Sequence, residues 1–81
     1  MNSKQKLALQ ALSQDLYRVA NGRHRGQTTM AARFSQEALT RIEEIGQFEY
    51  KGQILASLAS KEERSAEDLL MYSTLLRNRA I

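Results

Sequence analysis

Eighty-one residues, 42% apolar and 26% charged with a net charge of +3, describe one ordinary globular domain rather than a disordered chain. The absence of cysteine excludes a disulfide scaffold, a thiolate zinc site and an iron–sulfur cluster. The absence of proline lets helices run uninterrupted, because nothing removes an amide donor or clashes with a preceding carbonyl.

The first segment, Lys4 to Ala20, spaces Leu9, Leu12, Leu16 and Val19 by three or four residues, which puts them on one helical face. Asn2 or Ser3 caps its start, and Asn21-Gly22 reads as its stop. Gly22-Arg23-His24-Arg25-Gly26-Gln27 then reads as a loop: two glycines bracket three basic side chains with no apolar anchor. A second helix follows from Thr28 or Thr29, with either threonine as its cap. Its stripe is Ala31, Phe34, Ala38, Ile42 and Ile45, and Gly46 ends it. A competing start at Ser35, stapled by Phe34 and Leu39, would kink it near Phe34.

Within this second segment, Thr29 to Ile42 resembles a helix-turn-helix reader, with small alanines followed by a recognition-like Leu39-Thr40-Arg41-Ile42. It departs from that pattern between Phe34 and Gln36, where nothing supplies the turn. The third segment is Gln47 to Ser60, read as helix from about Phe48. Phe48 and Tyr50 alternate like a strand, but Phe48, Lys51, Leu55 and Leu58 sit at helical spacings, and a lone two-stranded hairpin would be unsupported. Ser60/Glu63 and Ser65/Asp68 each have capping-box spacing, and the second of these places the last helix at Ala66 to Arg79.

These elements predict an all-α fold: a small bundle of three or four short helices forming a single domain over residues 1–81, or an open hairpin completed by a second chain. No run approaches the ~20 apolar residues of a membrane span. Lys4 and Lys6 precede only Leu7, Ala8 and Leu9 before Gln10 breaks the run, so no secretory leader is read and the expected compartment is the cytoplasm.

Catalytic chemistry finds little footing. His24 is the sole histidine, and the pairs Glu43-Glu44, Glu62-Glu63 and Glu67-Asp68 are adjacent, so their carboxylates diverge on a helix instead of converging on an ion. A base oriented by a third group, a Gly-x-Ser-x-Gly turn and a phosphate loop are all missing from the sequence. The expectation is a chain that is not an enzyme and carries no cofactor and no metal.

Two binding surfaces remain. Residues 1–33 hold Lys4, Lys6, Arg18, Arg23, Arg25 and Arg33 against Asp15 alone, while residues 34–81 hold six basic and eight acidic groups. Arg18, Arg23, Arg25 and Arg33 around the loop form a candidate anion or nucleic-acid contact, though without aromatic residues interleaved for stacking. The last helix is apolar over an unusually wide arc. Leu69, Tyr72, Leu76 and Ala80 make one stripe, Met71 and Leu75 lie to one side, and Leu70 and Ile81 lie to the other. Such a helix is covered on more than one side, by its own chain or by a partner. Leu70, Met71, Tyr72 and Leu75 are the candidate protein interface. The favoured reading is a small adaptor or regulator that works by helix–helix contact and self-associates, with a nucleic-acid-binding regulator as the alternative.

Overall fold

A computed structural model describes residues 2–60 and 62–79 and contains four helices: α1 (Ser3–His24), α2 (Thr28–Ile45), α3 (Lys51–Ala59) and α4 (Arg64–Arg79). The all-α expectation holds. Ala80 and Ile81, placed above on the apolar arc of the last helix, lie outside the described residues. No described helix is long and apolar enough to cross a membrane.

Helix α1 packs against both α2 and α4, and α3 packs against α4 and, less extensively, α2. Gly22 lies against Ala31 and Asp15 beside Arg41, so α2 runs antiparallel to α1. Ser73 donates to the Ser13 carbonyl and Arg23 reaches Ser65, so α4 is antiparallel to α1 as well. The result is an up-down-up-down bundle with α3 as its short member. Leu9, Leu12, Leu16 and Val19 are buried against Ala38, Ile42, Ile54, Leu58, Leu69 and Leu76.

Asn2 opens α1 with a reciprocal cap: its Oδ1 accepts from the Gln5 amide at 2.8 Å, and Gln5 Oε1 accepts from the Asn2 amide at 3.2 Å. The far end corrects the sequence reading. Asn21-Gly22 does not stop the helix, and Arg23 and His24 belong to its last turn. A β-carbon on Gly22 would sit 3.1 Å from that of Ala31 and 3.3 Å from its backbone, so this glycine permits close approach of α2 and is not a stop. The stop is Gly26, at φ 74°, where the amides of Gly26 and Gln27 bond back to Arg23 and Gly22. That is a Schellman closure, and it shrinks the expected six-residue loop to Arg25-Gly26-Gln27.

Helix α2 is continuous from Thr28 to Ile45, so it neither breaks at Phe34 nor forms a helix-turn-helix. Its N-cap is Gln27 and makes no side-chain cap, and both threonines lie inside the helix. Helix α3 starts later than expected. Tyr50 takes a left-handed backbone (φ 72°) and ends the Gln47–Tyr50 connection, while its ring packs 5.7 Å from Tyr72. A bulky residue adopts that conformation only when tertiary packing holds it. Helix α4 begins two residues early, at Arg64. Ser65 therefore is not a cap; its hydroxyl donates to the Glu62 carbonyl at 2.6 Å. Ser60 Oγ accepts from the Glu62 amide at 3.1 Å.

Two glycines separate backbone demand from mere tolerance. Gly46 ends α2 at φ 81° and ψ −134°, a region nearly reserved for glycine, whereas Gly52 is helical with nothing within 4 Å of an added β-carbon. In urea unfolding, Gly46→Ala is expected to lose about 1–3 kcal/mol. Gly52→Ala is expected to gain about 0.4–1 kcal/mol.

Candidate functional site

The four arginines singled out by the sequence do not form one cluster. Arg23 turns inward from the last turn of α1. Its Nη1 donates to the Ser57 carbonyl at 2.9 Å and to Ser65 Oγ at 2.8 Å, and its Nη2 donates to the Leu58 carbonyl at 2.7 Å. Those carbonyls belong to the last turn of α3, whose orphan acceptors carry the negative end of the helix dipole. Arg23 is thus a cap for a helix 34 residues away, and at the same time a tie to the first turn of α4. Burial lowers its pKa below the ordinary arginine value.

The other three arginines face outward. Arg18 lies over the Phe34 ring, 5.1 Å from its centroid, and 4.0 Å from Asp15. Arg33 is 4.0 Å from Glu37 on its own helix, and Arg25 is exposed at the end of α1.

A cleft of about 570 Å³ opens beside Arg23, between the first turns of α2 and the chain leading into α4. His24, Thr28, Glu62 and Glu63 edge it, and Ala31 and Ala66 line it. Its charges are of both signs, its most buried cation is already bound to protein oxygens, and among the described residues His24 makes no hydrogen bond that would pair it with a hydroxyl. No described group of three His, Asp or Glu residues converges as a metal site.

Asp15 is the buried carboxylate of α1. Its Oδ2 accepts from Arg41 Nε at 3.3 Å. Burial raises its pKa above the ordinary 3.8, Arg41 opposes that rise, nearby Glu37 adds to it, and Arg18 opposes it weakly.

The candidate interface on α4 is divided. Tyr72 turns inward against Tyr50, and Leu75 is half-buried at the edge of the helix. Leu70 and Met71 face out, 42% and 48% exposed. At helical spacing they sit within an exposed stripe of Glu63, Arg64, Glu67, Thr74, Arg77 and Asn78. The register that sets Ser13 against Ser73 and Arg23 against Ser65 brings Tyr17 of α1, 51% exposed, to the level of Leu70. Leu7 and Met30, the other exposed large apolar residues among the described residues, lie near the starts of α1 and α2, away from this stripe.

Tyr17 escapes a sequence reading because it falls outside the Leu9–Val19 stripe and looks like a solvent-facing aromatic. The partnership of Arg23 and Ser65 carries no local signal at all.

No family model, curated protein or solved structure matches the chain.

Removing the Arg23 guanidinium strips the cap from α3 and the tie to Ser65. Arg23→Ala is expected to lower stability by about 2–3 kcal/mol in chemical denaturation, with Arg23→Lys recovering part of it because one ammonium cannot reproduce the fork.

Asp15 gives a pH signature. Its folded pKa exceeds the unfolded one, so its contribution is fully present below the unfolded value and is lost as pH rises through the folded value. Asp15→Asn should therefore be at least as stable as the parent at pH 7. That advantage should shrink on acidification toward the ordinary aspartate value of 3.8, as thermal melts across pH would record.

Proposed function

We propose that this chain is a non-enzymatic helical interaction module, an adaptor or regulator that binds protein through the outward face of α4. The observation that carries the reading is the adjacent exposure of Leu70 and Met71 in mid-helix, with Tyr17 at their level on the neighbouring helix. Apolar side chains grouped within a polar rim are the usual make-up of a contact surface, in which a few anchors supply most of the affinity. The bundle itself uses the opposite face of α4, through Leu69, Ser73 and Leu76, so the outward face is available without unfolding. The binding residues of this reading are Leu70 and Met71, with Tyr17 in support. Leu75 is peripheral, and Tyr72 supports α3.

The nucleic-acid reading rests on Arg18, Arg25 and Arg33, since Arg23 is engaged within the protein. Three such contacts on duplex DNA would give a slope of log K against log salt near −2.7. Two of these arginines sit beside carboxylates, which weakens that reading.

Photo-crosslinking in the cells that make the protein tests the proposal. A photoreactive residue in place of Met71 is expected to yield a discrete protein adduct, and one in place of Glu43, exposed on α2, is not. No adduct from position 71, equal adducts from both positions, or an adduct to nucleic acid would overturn it. Titration with duplex DNA and with RNA at two salt concentrations is expected to show no binding.

A further inference from the structure

The outward face of α4 has an order to its charges as well as an apolar centre. Glu63, just ahead of the helix, and Arg64 and Glu67 occupy its first half, Leu70, Met71 and Thr74 its middle, and Arg77 and Asn78 its last turn, all exposed. Arg77 and Glu67 lie in no ion pair within the described chain, whereas Arg79 is already paired with Glu49. The first end carries both signs, through Glu63 and Arg64, but Glu67 and Arg77 lie five residues either side of position 72, which makes this face complementary to itself turned end for end. We propose that α4 pairs antiparallel with α4 of a second copy of this chain about a two-fold axis near Met71. This rests on the interaction-module reading above and names its partner.

In that arrangement Glu67 of each copy faces Arg77 of the other, twice by symmetry, and Leu70 lies beside the second copy's Thr74. The two Met71 side chains meet near the axis, where an unbranched thioether adapts to its own image. Parallel pairing would set Glu67 against Glu67 and Arg77 against Arg77, so the charges select the antiparallel orientation. Glu67 and Arg77 are ten residues apart on one helix, so they cannot satisfy each other within the chain.

Charge exchange tests this with the whole 81-residue chain. Sedimentation equilibrium over a concentration series should show the parent as a dimer in the micromolar range. Glu67→Arg alone and Arg77→Glu alone each convert two attractions into two repulsions, and each should raise the dissociation constant about tenfold. The double variant, and an equimolar mixture of the two single variants, should both associate like the parent, while circular dichroism reports the same helicity for all. A parent that stays monomeric, single variants that associate as well as the parent, or a mixture that fails to recover overturns the pairing. The crosslink from position 71 separates this result from the wider reading. An adduct of twice the chain mass supports the pairing; an adduct of another mass overturns it and leaves the interaction-module reading standing.

Discussion

A guanidinium group set against the carbonyl end of a helix it does not belong to holds this bundle in register. Helix α3 has only nine residues, too few to be stable alone, and it follows a residue held in the left-handed region. What fixes its end is Arg23, delivered by the last turn of α1, with its fork spread over the Ser57 and Leu58 carbonyls and the Ser65 hydroxyl. The start of α4 is set by the same side chain. Three helices therefore meet at one cation, and their relative heights are fixed there.

The remaining order follows from how that cation is delivered. It can sit at the end of α1 only because the helix continues through Gly22. That continuation needs a residue without a β-carbon where Ala31 approaches, followed by a reversal at Gly26. Helix α1 in turn buries side chains against α2 through Asp15 and Gly22 and against α4 through Ser13. Small and polar residues at these seams bring the backbones close, and the larger leucines fill the space between them. With α4 held by its inner face, Leu70 and Met71 are left outside by geometry.

The parts of the fold that depend on periodicity were legible in the sequence. Leu9, Leu12, Leu16 and Val19 report their own burial because helical spacing alone puts them together. The end of α2 at Gly46 was equally plain. What stayed hidden depends on residues distant in sequence. Asn21-Gly22 has the local chemistry of a stop, and only Ala31 reveals that the glycine serves close packing. Arg23 looks like one member of a basic loop until Ser57, Leu58 and Ser65 are placed around it. Ser65 has capping-box spacing with Asp68, yet its hydroxyl is used on Glu62 and Arg23. Tyr50 stops the third helix from starting at Phe48 through a backbone conformation that no tyrosine prefers. On α4, the breadth of the apolar arc correctly marks a helix with more than one apolar side. The inward role of Tyr72 and the outward one of Leu70 and Met71 required the positions of α1 and α3.

The placement of Arg23 also bears on how the chain emerges during synthesis. An α1–α2 hairpin is complete once Ile45 is out, and its contacts are local enough to form early. At that stage the face of α1 bearing Ser13 and Ala20 still lacks α4, and the guanidinium of Arg23 still lacks its three acceptors, the last of which lies 42 residues further along. The nascent hairpin thus carries a temporary apolar groove beside an uncommitted cation. The groove closes when α3 and α4 arrive, and the same event that closes it presents Leu70 and Met71 on the outer surface. That outward apolar pair is therefore assembled only on a chain that has finished folding.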